Sequence, residues 1–121
     1  MSRAVRAPIL VIEDNDDTRE VLERVLLISR YDVATARDGL EALAYLRGGG
    51  RPAAIILDLA MPNMDGVALR RALSADPRFA DIPIIVYTAN PRWHVPEVSG
   101  VFRKGTDDPD HLLAMLARVT S

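Results

Sequence analysis

Residues 53–66 read AAIILDLAMPNMDG, and the first half of this stretch decides the fold. An uninterrupted apolar run rich in isoleucine is typical of a strand that is buried on both faces, as in a parallel sheet. The run ends at one carboxylate, Asp58, after which Pro62, Asn63 and Gly66 indicate a loop. Ligands of open α/β sheets bind beyond the carboxyl ends of the strands, so Asp58 is predicted to lie at that edge.

Four other segments have the composition of strands, and helical patterns separate most of them. The predicted strands are residues 8–12, 31–36, 83–88 and 101–103, of which 31–36 is half polar and suits a sheet edge. The predicted helix N-caps are Asn15 or Asp16, Asp38, Asp65, and Asp107 or Asp108. The apolar residues predicted to share the buried face of the first helix are Val21, Leu22, Val25, Leu26 and Ile28. This alternation predicts an α/β fold with a doubly wound parallel sheet.

Composition limits the classes of function. The 121 residues are predicted to form one domain, residues 1–121, and the net charge of −2 argues against nucleic-acid binding by this domain. The sequence has no cysteine, which excludes disulfides and thiolate chemistry. No apolar stretch approaches the length of a membrane span and the N-terminus has no signal-peptide pattern, so we expect a cytoplasmic protein without membrane contact.

Polar side chains follow four of the predicted strands: Glu13 and Asp14, then Asp58, Thr88 and Lys104. Two unit charges about 4 Å apart repel by roughly 4 kcal/mol at an effective dielectric near 20, so three clustered carboxylates require a cation. Mg²⁺ prefers oxygen ligands and characteristically bridges carboxylates and phosphate. Thr88 and Lys104, which is the only lysine among 15 basic residues, suit a phosphoryl oxygen. Asp58 is then predicted to be a nucleophile that attacks phosphorus.

Each residue alone has a simpler explanation. Adjacent acids often cap helices, an aspartate often follows a strand, and threonine and lysine are ordinary at such positions. The convergence of all of them on one edge makes independent explanations improbable. His94 and His111 are expected on the surface, because neither falls at a strand end.

The chain closely resembles the receiver (CheY-like) domain of bacterial two-component response regulators, over essentially its full length. The residues that carry the resemblance are Glu13-Asp14, Asp58, Met61 to Gly66, Thr88-Ala89 and Lys104. The resemblance implies a flavodoxin-like sheet of five parallel strands in the order 2-1-3-4-5. It also implies a stand-alone, non-enzymatic switch that controls a protein-interaction surface.

The resemblance further assigns roles to the site residues. Asp58 would be phosphorylated from a phosphohistidine on a sensor histidine kinase or a histidine phosphotransfer protein. Mg²⁺ would be held by Asp14 and Asp58, by Glu13 through water, and by the main-chain carbonyl of Ala60. Thr88 and Lys104 would contact the phosphoryl group. The sequence leaves open the kinase, the downstream target, the oligomeric state and whether an output domain was removed.

Three features depart from the family pattern. Only residues 89–100 connect the fourth and fifth strands, and they contain Pro91 and Pro96, so the fourth helix of the family is predicted to be vestigial or absent. Val101 occupies the position where many receivers carry a mobile aromatic residue, and the adjacent Phe102 is expected on the opposite face of the sheet. Gly105 stands where the family commonly has a cis-proline, so a trans bond is expected there.

Two alternatives remain at the level of sequence. A pseudo-receiver would have the same fold and act as an unphosphorylated interaction scaffold. The shortened crossover favours it, whereas the presence of Asp58, Thr88 and Lys104 argues against it. A phosphatase of the haloacid dehalogenase type shares the scaffold but needs a second acid two residues after the nucleophile. That position is Ala60, which argues against the phosphatase.

Overall fold

The computed structural model describes residues 7–58, 66–88, 100–103 and 108–120, with the backbone alone at positions 67, 88, 103 and 109. The strands are β1 (Ile9–Ile12), β2 (Val33–Ala36), β3 (Ala54–Asp58), β4 (Ile84–Thr88) and β5 (Gly100–Arg103). The helices of the described part are α1 (Asp16–Ile28), α2 (Gly39–Arg47), α3 (Gly66–Ala75) and α4 (Pro109–Thr120). The strands form one parallel sheet in the order β2-β1-β3-β4-β5, which confirms the predicted fold and the edge position of β2.

Alternation along the strands builds two hydrophobic layers. One face of the sheet packs with α2 and α3, where the core includes Leu10, Leu57 and Leu69. The other face packs with α1 and α4, where Val11, Ile56 and Leu116 belong to a separate cluster. All five residues of β3 are buried, as expected for the central strand of a doubly wound sheet. Asp58 is therefore the last residue of a strand that is buried along its whole length.

The helix boundaries follow local chemistry. Asn15 caps α1, because its side-chain oxygen accepts a hydrogen bond from the backbone N–H of Thr18 at 2.9 Å. Asp38 caps α2 in the same way, with the N–H of Glu41 at 2.8 Å. Gly48 is the C-cap of α2, as the glycine run predicts. Both N-caps confirm sequence predictions.

The predicted buried face of α1 was too wide. Leu22 and Leu26 are buried, whereas Val21 is 60% exposed and Ile28 is 82% exposed. Residues four apart lie almost above one another on a helix, whereas a neighbour in sequence is turned by about 100°. Val21 and Ile28 lie on the solvent side for this reason, although their spacing of three and four residues had placed them with the buried face.

Several predictions fall on residues outside the described ranges. The vestigial or absent helix between β4 and β5, the cap at Asp65 and the peptide bond before Gly105 belong to this group. Among the helices that the structure describes, none has both the length and the apolar character that a bilayer span requires.

Candidate functional site

The register of the sheet brings the acidic residues together. Ile12 pairs with Leu57, so the next residue on each strand, Glu13 and Asp58, reaches the carboxyl edge at the same level. Glu13 is 2% exposed and Asp58 is 5% exposed, whereas Asp14 lies in solvent. One carboxylate oxygen from each of the three residues lies within 4.8 Å of the other two. The predicted acidic cluster is therefore present.

Hydrogen bonds hold the turn that carries two of these acids. The backbone N–H of Glu13 donates to the carbonyl of Ala36 at 3.0 Å, which extends the pairing of β1 with β2 by one residue. The Oε1 atom of Glu13 accepts a hydrogen bond from the N–H of Asn15 at 3.3 Å. Since Asn15 is also the cap of α1, the strand, the turn and the helix start are connected within three residues.

Arg19 is a residue of this site that the sequence reasoning missed. Its Nη1 donates to the carbonyl oxygen of Glu13 at 3.0 Å, and its Nη2 donates to the carboxylate of Asp16. Asp16 and Arg19 have the i,i+3 spacing of a helical ion pair, so this contact could have been predicted from the sequence. The contact with Glu13 has no comparable pattern, because it depends on how the turn folds.

The donor set fits a hard divalent cation. Three carboxylates offer oxygen ligands only, and two of them are almost completely removed from water, where like charges are costly. Mg²⁺ and Ca²⁺ both take oxygen ligands, and Mg²⁺ typically uses one or two carboxylates and keeps several waters. The described residues thus offer a set of oxygen ligands that could hold such a cation.

The remaining predicted site residues are described only in part. Thr88 is the last residue of β4, and its backbone pairs with Arg103, directly before Lys104. The described strands β4 and β5 therefore end at the same edge of the sheet as β3, whose last residue is Asp58. The Thr88 side chain, Lys104 and Ala60 fall outside the described residues.

Val101, at the predicted switch position, and the adjacent Phe102 lie on opposite faces of the sheet, as the alternation of side chains along a strand requires. Val101 is 41% exposed, whereas Phe102 is 4% exposed and packs in the cluster between the sheet and α4. The Phe102 ring stacks on that of Tyr87, with the two centroids 5.3 Å apart and an interplanar angle of 3°. The expectation that Phe102 faces away from the Val101 side is confirmed. His111 is exposed on α4, as expected, and His94 lies outside the described residues.

Comparison with known proteins identifies the class. Residues 9–108 match the family model of the response regulator receiver domain. Over 98% of its length the chain is 40% identical to the transcriptional regulatory protein PrrA of Mycobacterium tuberculosis, in an alignment of 124 residues. The chain belongs to the receiver-domain family of two-component response regulators. It spans 51% of PrrA, about half the length of that relative.

Solved structures agree with this assignment. A response regulator receiver protein from Pseudomonas putida superposes with a TM-score of 0.84 at 29% identity, covering 96% of this chain and 99% of the other. The response regulator TrrA from Thermotoga maritima, solved in complex with Mg(2+)-BeF, superposes with a TM-score of 0.82 at 26% identity. That match covers 93% of this chain and 97% of TrrA. Both confirm the fold and the order of its strands.

Proposed function

We propose that this chain is a phospho-accepting receiver in which Asp58 takes up the phosphoryl group. One observation carries the proposal: Asp58 lies buried at the end of the central strand, with its carboxylate among those of Glu13 and Asp14. A rigid strand end fixes the direction of the carboxylate, and the neighbouring acids provide the ligands for Mg²⁺. The TrrA structure in complex with Mg(2+)-BeF supports this proposal by relationship.

The proposed reaction is a transfer between two side chains. A carboxylate oxygen of Asp58 attacks the phosphorus of a phosphohistidine, an oxygen–phosphorus bond forms, and the phosphorus–nitrogen bond breaks. The departing imidazole keeps the electron pair of that bond and takes up a proton. Asp14, Asp58, Glu13 through water and the main-chain carbonyl of Ala60 would hold Mg²⁺, which would supply charge neutralisation for the transferring group. Lys104 and Thr88 contact the phosphoryl oxygens in the product.

The proposed consequence of the reaction is a change in a protein-interaction surface. A phosphoryl group adds about −1.5 to −2 charges and three acceptor oxygens at Asp58. Converting a mostly inactive population into a mostly active one requires roughly 5.5 kcal/mol of differential stabilisation. One hydrogen bond to a charged group supplies about 1.5 to 3 kcal/mol, so Thr88 and Lys104 must act together. With Val101 in place of a mobile aromatic residue, the switch relies on these two contacts more than in many receivers.

The proposed partners follow from the reaction. The phosphodonor is a sensor histidine kinase or a histidine phosphotransfer protein, and the phosphorylated chain acts on a downstream protein. The domain itself is proposed to be a non-enzymatic, cytoplasmic module that contacts neither nucleic acid nor membrane. The net charge of −2 supports the absence of a nucleic-acid surface.

The direct test is phosphorylation by a small phosphodonor. The protein is incubated with acetyl phosphate and Mg²⁺, and its intact mass is measured. We expect the mass to increase by one phosphoryl group in the wild type and in Asp32→Asn, which alters an exposed aspartate before β2. We expect no increase in Asp58→Asn or when EDTA replaces Mg²⁺. A wild-type protein that binds Mg²⁺ but gains no mass would instead support the unphosphorylated scaffold.

A further inference from the structure

Arg19 contacts three residues of the segment 13–16 that joins β1 to α1, called the acidic turn below. Its guanidinium Nη1 lies 3.0 Å from the carbonyl oxygen of Glu13, and its backbone N–H donates to the carbonyl of Asn15 at 2.9 Å. Its Nη2 reaches the carboxylate of Asp16. The Arg19 side chain is only 18% exposed, whereas Arg24, the other arginine of α1, is 72% exposed. The Arg19 side chain therefore contacts the main chain directly before Asp14 and the carboxylate of Asp16 two residues after it.

We propose that Arg19 is a positioning residue for the metal site. This inference rests on the proposed function, because it concerns how the acidic cluster is held ready for Mg²⁺. The Asp14 carboxylate lies in solvent, so packing does not hold it, and its place depends on the main chain that carries it. The bond from Arg19 to the Glu13 carbonyl fixes the peptide unit between these two acids. Loss of that bond frees the peptide to rotate and moves Asp14 away from Glu13 and Asp58.

The contact with Asp16 does not explain the burial of Arg19. Asp16 is 80% exposed, and ion pairs with such exposed partners are weak. The bond to the Glu13 carbonyl is part-buried, where a guanidinium donor is strongly held. Partners that orient metal ligands without touching the metal typically change affinity 10- to 100-fold when they are removed.

A matched control exists on the same helix. Arg24 pairs with Glu20 at 3.4 Å and is 72% exposed, so Arg24→Gln removes the same charge without touching the acidic turn. Any effect shared by Arg19→Gln and Arg24→Gln is therefore long-range electrostatics. An effect confined to Arg19→Gln is positional.

The experiment is a Mg²⁺ titration of the whole chain, followed by backbone amide NMR. We expect Arg19→Gln to weaken Mg²⁺ binding about tenfold and Arg24→Gln to weaken it less than about twofold. Arg19→Lys should recover part of the loss, because lysine keeps one charged donor but not the planar fork. The fold of each variant is checked by its amide spectrum before titration. If Arg19→Gln does not fold, Arg19→Lys takes its place, with about threefold weaker binding expected.

A second measurement needs no metal. In EDTA, hydrogen exchange at the amide of Asn15 should be faster in the Arg19 variant than in the wild type, because that amide donates to Glu13 within the turn. Equal Mg²⁺ affinity in wild type and Arg19 variant, or an equal loss in Arg24→Gln, would overturn the inference while leaving the proposed function intact. Failure of the wild type to bind Mg²⁺ would instead count against the proposed function.

Discussion

Phe79 is a buried aromatic ring that two arginines cover from different parts of the chain. Its side chain is 2% exposed in the connection between α3 and β4. The guanidinium carbon of Arg78 lies 4.8 Å from the ring centroid and that of Arg51 lies 5.3 Å from it, both within the range of cation–π contacts. Arg51 also donates to the carbonyl of Leu46 near the end of α2, at 3.2 Å. Through Arg51, the Phe79 ring therefore links the end of α2 with the connection between α3 and β4.

The carboxylate of Asp76 organises the same connection and makes it acid-sensitive. Its two oxygens accept hydrogen bonds from the Arg78 side chain at 3.1 and 2.8 Å and from the Arg78 N–H at 2.9 Å. These bonds, with help from the nearby charge of Arg47, lower the pKa of Asp76 from 3.8 to about 2. A lowered folded-state pKa stabilises the fold above pH 4, and this stabilisation is lost as the pH falls from about 4 toward 2.

We expect Asp76→Asn to be less stable than the wild type at neutral pH and the difference to shrink below pH 4. The free energy of unfolding, measured in urea between pH 7 and pH 2, tests this. Asp81→Asn, an exposed aspartate of the same connection, is the control. A difference between wild type and Asp76→Asn that stays constant across that pH range would contradict the role assigned to the carboxylate.

Gly50 is required by a close approach to an aromatic ring. A Cβ atom at this position would lie 2.4 to 2.7 Å from three atoms of the Tyr45 ring, closer than van der Waals contact allows. Tyr45 is half-buried and packs against the core, so the ring cannot leave without losing contacts. We expect Gly50→Ala to destabilise the fold by about 1 to 3 kcal/mol in urea denaturation. The cost should fall sharply in a Tyr45→Ala background, and equal costs in the two backgrounds would contradict the clash.

At the level of elements, α4 lies close against the edge strand β5. A Cβ at Gly100 would meet the sulfur of Met115 at 2.7 Å, so the absence of a side chain on β5 admits the methionine of the helix. The Tyr87–Phe102 stack lies in the same cluster, one strand pairing away from Asp58. The stacked rings of Tyr87 and Phe102 thus pack on the face of the sheet that α4 covers.

We expect β5 to contribute to stability through the stacked ring of Phe102 and not through the side chain of Val101. Phe102→Leu removes a stacked, buried ring and should cost about 1 to 2 kcal/mol. Val101→Ala is the matched control, because the side chain is 41% exposed and faces the other way, and it should cost less than about 0.5 kcal/mol. Unfolding in urea measures both variants. A larger loss of unfolding free energy from Val101→Ala than from Phe102→Leu would mean that Val101, and not Phe102, faces the core.

For the whole molecule, the sequence predicted the order and type of elements well because the signals are strong and local. Apolar runs mark the strands, Asn15 and Asp38 mark helix starts, and the acidic residues stand directly after strand residues. The cluster of Glu13, Asp14 and Asp58 was predictable since parallel strands must end at a common edge. Family resemblance then suggested the phosphoryl transfer that is proposed for this edge.

The features that sequence reasoning missed depend on geometry between segments. The reach of Arg19 back to a main-chain carbonyl and the arginines around Phe79 leave no periodic pattern in the sequence. The exposure of Val21 and Ile28 was misjudged because they continue the three- and four-residue spacing of the apolar face but lie at its margin. Residue type gives the tendency to be buried, whereas the position of a helix against its sheet decides which side is covered.

The acidic cluster draws its members from β1 and β3, which the ribosome completes at different times. A nascent chain that ends before residue 58 has synthesised Glu13 and Asp14 but lacks the acceptor and the central strand that pairs with β1. If the proposed function holds, the chain can therefore accept a phosphoryl group only after β1 and β3 have paired. The fraction of molecules that can be phosphorylated then reports the fraction that is folded. Inherited variants that unfold the core would lower phosphorylation without changing Asp58.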